Sequence, residues 1–134
     1  MTLESRAAFS YREDSVGALM DFDMIGVRDD VTVEVVLRYL RRHDELPDHT
    51  DQLFIVDRAE RLQGFLPVNR LLVSSPDVLV SDIMSTEGMV TLHPEQDAQE
   101  AALAFERYDL VSAPVVDPAG KLLARNVRDS AAEN

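Results

Sequence analysis

The chain has 134 residues, 46% of them apolar, no cysteine and no tryptophan, and 25 acidic against 13 basic residues for a formal charge of −12. That length suits one ordinary core without staples, and the missing cysteine excludes disulfides, thiolate metal sites and cysteine nucleophiles. The acidic surplus repels a phosphate backbone, which argues against nucleic-acid partners, and attracts hard divalent cations, which take carboxylate oxygens.

Residues 1–13 are polar and mixed. They form a linker or the end of an upstream helix, with no apolar signal-peptide core. Asp14 or Ser15 can cap a short helix ending at Met20. Met24–Val27 reads as a brief strand, and Asp29 and Asp30 mark a turn. Thr32 then opens an amphipathic helix over Thr32–His43. Val33, Val36, Leu37 and Leu40 share one face, with Arg38, Arg41 and Arg42 on the outside and in the last turn. His43–Gln52 is a polar loop. Leu53–Val56 is apolar throughout, as a strand covered on both faces should be. Asp57–Glu60 is a hairpin turn and Leu62–Leu66 the antiparallel return. Pro67 stops that strand at the first turn of a helix over Val68–Ser74.

The same order then restarts, Met84 lying 64 residues after Met20. VSDIM ends at Met84, Met89–Leu92 is the next strand, and the helix Asp97–Tyr108 carries Ala98, Ala101, Ala102, Phe105 and Tyr108 as its apolar stripe. APVVD ends at Asp117, and Lys121–Arg125 begins the return. The pattern breaks at Arg125–Val127, which predicts an incomplete last strand and an incomplete C-terminal helix. The boundaries are a linker at 1–13, a first repeat at 14–76 and a second at 77–134. A repeat of this size cannot close a core alone. The expected fold is therefore α/β (α+β): two β-α-β-β-α units packed with pseudo-two-fold symmetry. No stretch approaches the ~18 apolar residues of a membrane span, so the chain by itself reads as soluble and cytoplasmic.

Chemistry-bearing residues are scattered. His43, Asp44, Glu45, Asp48, His49 and Asp51 are dense, but their spacing fits neither a calcium loop nor a helical zinc pair, so they read as a solvated loop. No nucleophile–base–orienter set is present, so no enzymatic activity is expected. Met20, Met24, Met84 and Met89 recur at matching places and read as core packing. Asp57 and Asp117 sit at equivalent turns and read as structural. Asp14, Asp21, Asp23, Asp82 and Glu87 flank the short helices, and Glu100, Glu106 and Asp109 lie along the second long helix. These two groups are the candidates for a cation-responsive surface.

The ordered set EDSVGALM, VTVEVVLRYLRR, LFIVD, the G-F-L strand followed by NRLL, VSDIM, and FERYDLVSAPVVDPAGKL resembles the tandem CBS, or Bateman, module. More closely, it resembles the cytosolic CBS pair of MgtE-type magnesium transporters, over roughly residues 11–125. The resemblance implies a homodimeric regulatory segment at the cytoplasmic face of a membrane. It would sense intracellular Mg2+ through interfacial carboxylates and gate transport, alongside an acidic N-domain, a connecting helix and a membrane pore. Asp109 in ERYDL matches a family acidic residue near the magnesium sites. Asp129 matches a terminal acidic residue if one residue is missing between Arg125 and Asn126. Asp109, Glu106, Glu100, Asp129 and Asp14 are thus the candidate magnesium ligands. Many CBS modules hold adenosine through Gly-x-x-Ser/Thr-x-x-Asp. Here the first copy reads Gly64, Pro67 and Arg70, which offer neither a hydroxyl nor a carboxylate acceptor. The second reads Ala124, Asn126 and Asp129. These departures argue against ATP or AMP as cofactors and leave Asn126 and Asp129 as the nucleotide candidates. An adenine-nucleotide sensor, or a dimerisation module without ligand, is the alternative function.

Overall fold

The computed structural model describes residues 13–48 and 50–127. The described residues divide into two compact units, one within Met24–Met89 and the other formed by the described residues on either side of it.

In the unit Met24–Met89, β1 (Gly26–Arg28) runs parallel to β2 (Gln52–Val56), and β3 (Leu62–Pro67) returns antiparallel to β2. A parallel pair needs a crossover, and α1 (Val33–Arg41) supplies it. Thr32 caps that helix, its Oγ1 accepting the Val35 N–H at 3.4 Å. Two short helices follow, α2 (Val68–Val73) and α3 (Val80–Ile83). The core is Ile25, Val27, Val33, Val36, Leu53, Ile55, Leu66, Leu71 and Val80.

The other unit contains a 3-10 turn (Val16–Leu19), helix α4 (Ala98–Tyr108) and the hairpin β4 (Ser112–Val116) with β5 (Leu122–Val127). Asp97 caps α4, its Oδ1 accepting the Gln99 N–H at 2.8 Å. Val16, Leu92, Ala101, Phe105, Ala113 and Val115 form its core.

Each short leading helix packs with the opposite repeat. Val16 and Gly17 donate their N–H groups to Gln96 and Pro94 carbonyls at 2.8 and 2.7 Å, and Asp21 and Arg125 exchange backbone hydrogen bonds. In the unit Met24–Met89, Val80 N–H donates to Val31 O at 2.9 Å, and Ser85 exchanges backbone bonds with Phe65. Met20 and Met84 pack against the two cores.

Two expectations need correcting. Met89–Leu92 is not a strand. Gly88 turns with φ 71° and Pro94 lacks a donor, so only Leu92 pairs, in an isolated parallel bridge to Val115. The last strand is complete: β5 runs through Val127, which pairs with Ser112. A backbone ladder does not require apolar side chains, and buried Arg125 finds a partner in Asp21. The rest of the predicted tail lies outside the described residues.

The two hairpin turns match atom for atom. Asp57 Oδ1 accepts the N–H groups of Ala59 (2.8 Å) and Arg61 (3.0 Å). Asp117 Oδ1 accepts those of Ala119 (2.9 Å) and Lys121 (2.8 Å). The left-handed position is Glu60 in one and Gly120, with φ 87°, in the other. A side chain at Gly120 would meet nothing within 4 Å, so it gains no packing to offset backbone strain. Gly120→Ala is expected to lower stability by about 1 kcal/mol, read as a shifted urea midpoint.

The Arg61 N–H is the main influence on the Asp57 carboxyl. With the Ala59 N–H and the Arg61 guanidinium, and against opposing desolvation, it holds the carboxyl below its ordinary value of 3.8. A lowered folded pKa means the contribution is present above the unfolded value and lost as pH falls through the folded one. Asp57→Asn should therefore flatten this part of the acid limb below 3.8 in pH-dependent melts.

Candidate functional site

Helix α4 positions most of the candidate carboxylates. Glu100 lies in its first turn, and Asp109 ends it in the left-handed conformation, its N–H donating to the Glu106 and Phe105 carbonyls. The Asp14 carbonyl accepts the Ala98 N–H at 2.7 Å, which places Asp14 at the start of the helix. Asp14, Glu100, Glu106 and Asp109 are all exposed. Glu106 stands six positions after Glu100, about 9 Å along the axis at 1.5 Å per residue. The candidates thus fall into two groups, one at each end of α4. Among the described residues, no three acidic or histidine side chains gather to hold a metal. Asp129 lies outside the described residues.

Asp21, grouped by sequence with the surface acids, is committed elsewhere. Arg125 Nε donates to Asp21 Oδ2 at 3.1 Å, and the Asp23 N–H donates to Asp21 Oδ1 at 2.9 Å. The Arg125 side chain is 4% exposed and that of Asp21 36%. The loop histidines offer no site either. His43 Nδ1 lies 3.1 Å from the Tyr39 carbonyl, and His49 is outside the described residues.

The two adenosine-motif positions differ physically. In the unit Met24–Met89 the chain fills its own space: a Cβ at Gly64 would stand 2.4 Å from Ser85 O. Arg70 Nη1 donates to Ile83 O at 3.0 Å and to Ser85 Oγ at 2.7 Å. In the other unit, Asn126 is fully buried. Its Nδ2 reaches the Leu19 carbonyl at 3.5 Å, while its Oδ1 has no partner among the described residues. An acceptor orphaned in the interior costs about 1–3 kcal/mol, so a donor from elsewhere would relieve it.

The CBS domain family matches residues 16–76 and 80–124, and the chain therefore belongs to it, as a tandem pair of a regulatory, non-enzymatic class. Within that class it is similar to the MgtE transporters. It is 36% identical to the magnesium transporter MgtE of Thermus thermophilus over 120 residues, 90% of this chain and 26% of that one. To the Bacillus subtilis magnesium transporter MgtE it is 28% identical over 117 residues, 85% and 26% of the two chains. A crystal structure of the cytosolic domain of the Mg2+ channel MgtE in complex with ATP matches with a TM-score of 0.89 and 34% identity, over 97% of this chain and 52% of that one. The cystathionine β-synthase pair domain of a Shewanella oneidensis MR-1 protein matches with a TM-score of 0.84 and 28% identity, over 99% and 78%. The MgtE-type resemblance thus holds in sequence and in fold. The chain spans about a quarter of the length of the transporters it matches. Among the described residues, no helix is long and apolar enough to cross a membrane.

Proposed function

We propose that the chain is the cytoplasmic regulatory CBS pair of an MgtE-type magnesium transporter, working as a homodimer beside an acidic N-domain, a connecting helix and a membrane pore. Intracellular Mg2+ is sensed through Asp14, Glu100, Glu106, Asp109 and Asp129, and the response gates transport. The carrying observation is the agreement of both repeats, in sequence and fold, with the cytosolic domain of MgtE. The charge supplies the physics. Two copies together carry −24, twice −12. Adjacent carboxylates are only partly screened at a Debye length of about 8 Å. A shared divalent ion removes that repulsion and favours whichever arrangement binds it better, by its differential affinity alone. Carboxylates in small exposed groups suit magnesium, which keeps several of its waters. Carboxylates of a second copy or of neighbouring domains complete each set.

Magnesium titration of thermal melts tests this. At tenfold over its Kd a single site adds about 1.4 kcal/mol. The wild-type midpoint should rise at millimolar magnesium, and the rise should shrink in Glu106→Gln with Asp109→Asn. A wild-type midpoint that ignores magnesium overturns the sensing reading.

A second reading, adenine-nucleotide binding, is favoured by the orphaned Asn126 Oδ1 and by the similarity to a domain crystallised with ATP. Calorimetry with ATP and AMP decides it. Heat that vanishes in Asn126→Ala and Asp129→Ala supports it, and no heat with the wild type removes it.

A further inference from the structure

Both short leading helices end on the same two groups. One is the carbonyl just before the repeated methionine, Leu19 O or Ile83 O. The other is the side chain just after it, Asp21 or Ser85. A four-residue helix has no partner of its own for its last carbonyl, so a donor must come from elsewhere. In the unit that holds Asn126, two residues of β5 share this task. Arg125 Nε meets Asp21 Oδ2 at 3.1 Å, while Asn126 Nδ2 stands 3.5 Å from Leu19 O, at the outer limit of a hydrogen bond.

In the unit Met24–Met89 a single side chain serves both groups. Arg70, on α2, donates from Nη1 to Ile83 O at 3.0 Å and to Ser85 Oγ at 2.7 Å. Bonds from an ionised donor are about twice as strong as neutral ones. The strand cannot supply the donor here, because the β3 residue at the place of Asn126 is Leu66, which is buried and apolar. Among the described residues Arg70 has no carboxylate partner, so its guanidinium is not committed to an ion pair. Its backbone is anchored where α2 closes, with Ser74 Oγ donating to Arg70 O at 2.7 Å.

What Arg70 brings to Ile83 and Ser85 is what a bound molecule would have to bring: a flat N–H donor reaching two adjacent acceptors. We infer that Arg70 is an in-chain ligand, a latch that closes α3 against α2 and β3 with no molecule supplied from outside. An external guanidine, amidine or amino-heterocycle reaches Ile83 O only by displacing it. The Arg70 side chain is exposed, so the latch is displaceable and not walled in. Leu19 O is the more weakly held of the two carbonyls, and an outside donor meets less competition there. The inference depends on neither the magnesium, the nucleotide nor the homodimer reading.

The test is amide hydrogen exchange of the full chain, read on residues 80–87 by mass spectrometry. In Arg70→Ala this segment should exchange about tenfold faster, since local opening no longer breaks two charge-assisted bonds. Arg70→Met keeps the aliphatic stem and loses the donors, so it should exchange as fast as Arg70→Ala. Arg70→Lys should recover little, because an ammonium lacks the planar fork. The decisive probe is ethylguanidinium, which is the part of the side chain that alanine removes. Added to Arg70→Ala it should restore slow exchange in a saturable way, and it should leave the wild type unchanged because the place is already taken. Exchange in Arg70→Ala equal to wild type overturns the latch. So does an Arg70→Met variant as protected as wild type, which would assign the effect to the stem. Failure of ethylguanidinium to slow exchange in Arg70→Ala, or equal slowing in the wild type, overturns it as well.

Discussion

Replacing Gly64 by alanine is expected to lower stability by about 3 kcal/mol, and the melting midpoint by roughly 10 °C for a chain of this size. The added Cβ would stand 2.4 Å from Ser85 O, 3.3 Å from Ser85 C and 3.2 Å from Met84 Sδ. The thioether can swing away, but the backbone cannot. Ser85 is held by N–H and carbonyl bonds to Phe65 at 2.8 and 3.0 Å, and Arg70 grips it from α2. Moving Ser85 aside breaks these bonds together and pulls on Ile83 and Met84, which pack against the core. The control lies in the other unit. Ala124 faces Val115 as Gly64 faces Ile55, and there a methyl group is already seated and buried. Ala124→Gly should therefore cost only about 1 kcal/mol. A Gly64→Ala variant that melts with the wild type would mean that Ser85 does not lie against β3.

What could be read in the sequence was local. The period of Val33, Val36, Leu37 and Leu40 marks α1, and Thr32 caps it as its type and position require. Asp57 and Asp117 were legible as turn residues because an aspartate two residues before a backbone N–H makes the same bond wherever it occurs. Glu100, Glu106 and Asp109 were legible as an acidic helix, and their separation follows from the helical rise. What could not be read was non-local. Nothing in SVGALM says that Val16 will bond to Gln96, or that the two leading helices interchange between units. Met89–Leu92 has strand composition, but pairing depends on a partner edge, and only Leu92 finds one. The orphaned oxygen of Asn126 leaves no sequence signal, since an asparagine in a strand is as readily satisfied as not.

Asp21→Ala is expected to cost about 2–3 kcal/mol, measured as a shift in the urea midpoint at neutral pH. The reason is the asymmetry between the two partners, which stand 104 residues apart in sequence. Removing one partner of a buried pair costs most when the group left behind cannot reach water, and the Arg125 side chain is 4% exposed. Asp21 is 36% exposed and Arg125 keeps further interactions, so the cost falls below the about 3–5 kcal/mol of a fully enclosed pair. The Asp23 N–H also loses its acceptor. Asp21→Asn keeps an oxygen facing Arg125 Nε and should cost about half as much. The double variant Asp21→Ala/Arg125→Met removes the stranded charge, and an apolar side chain of similar reach should recover most of the loss. If the double variant is no more stable than Asp21→Ala, the penalty comes from the backbone exchange between Asp21 and Arg125 and not from the ion pair. The same variants bear on the buried amide. Asp21 ties down the turn whose Leu19 carbonyl faces Asn126 Nδ2, so loosening it should weaken the proposed nucleotide binding before it touches the magnesium response proposed for α4.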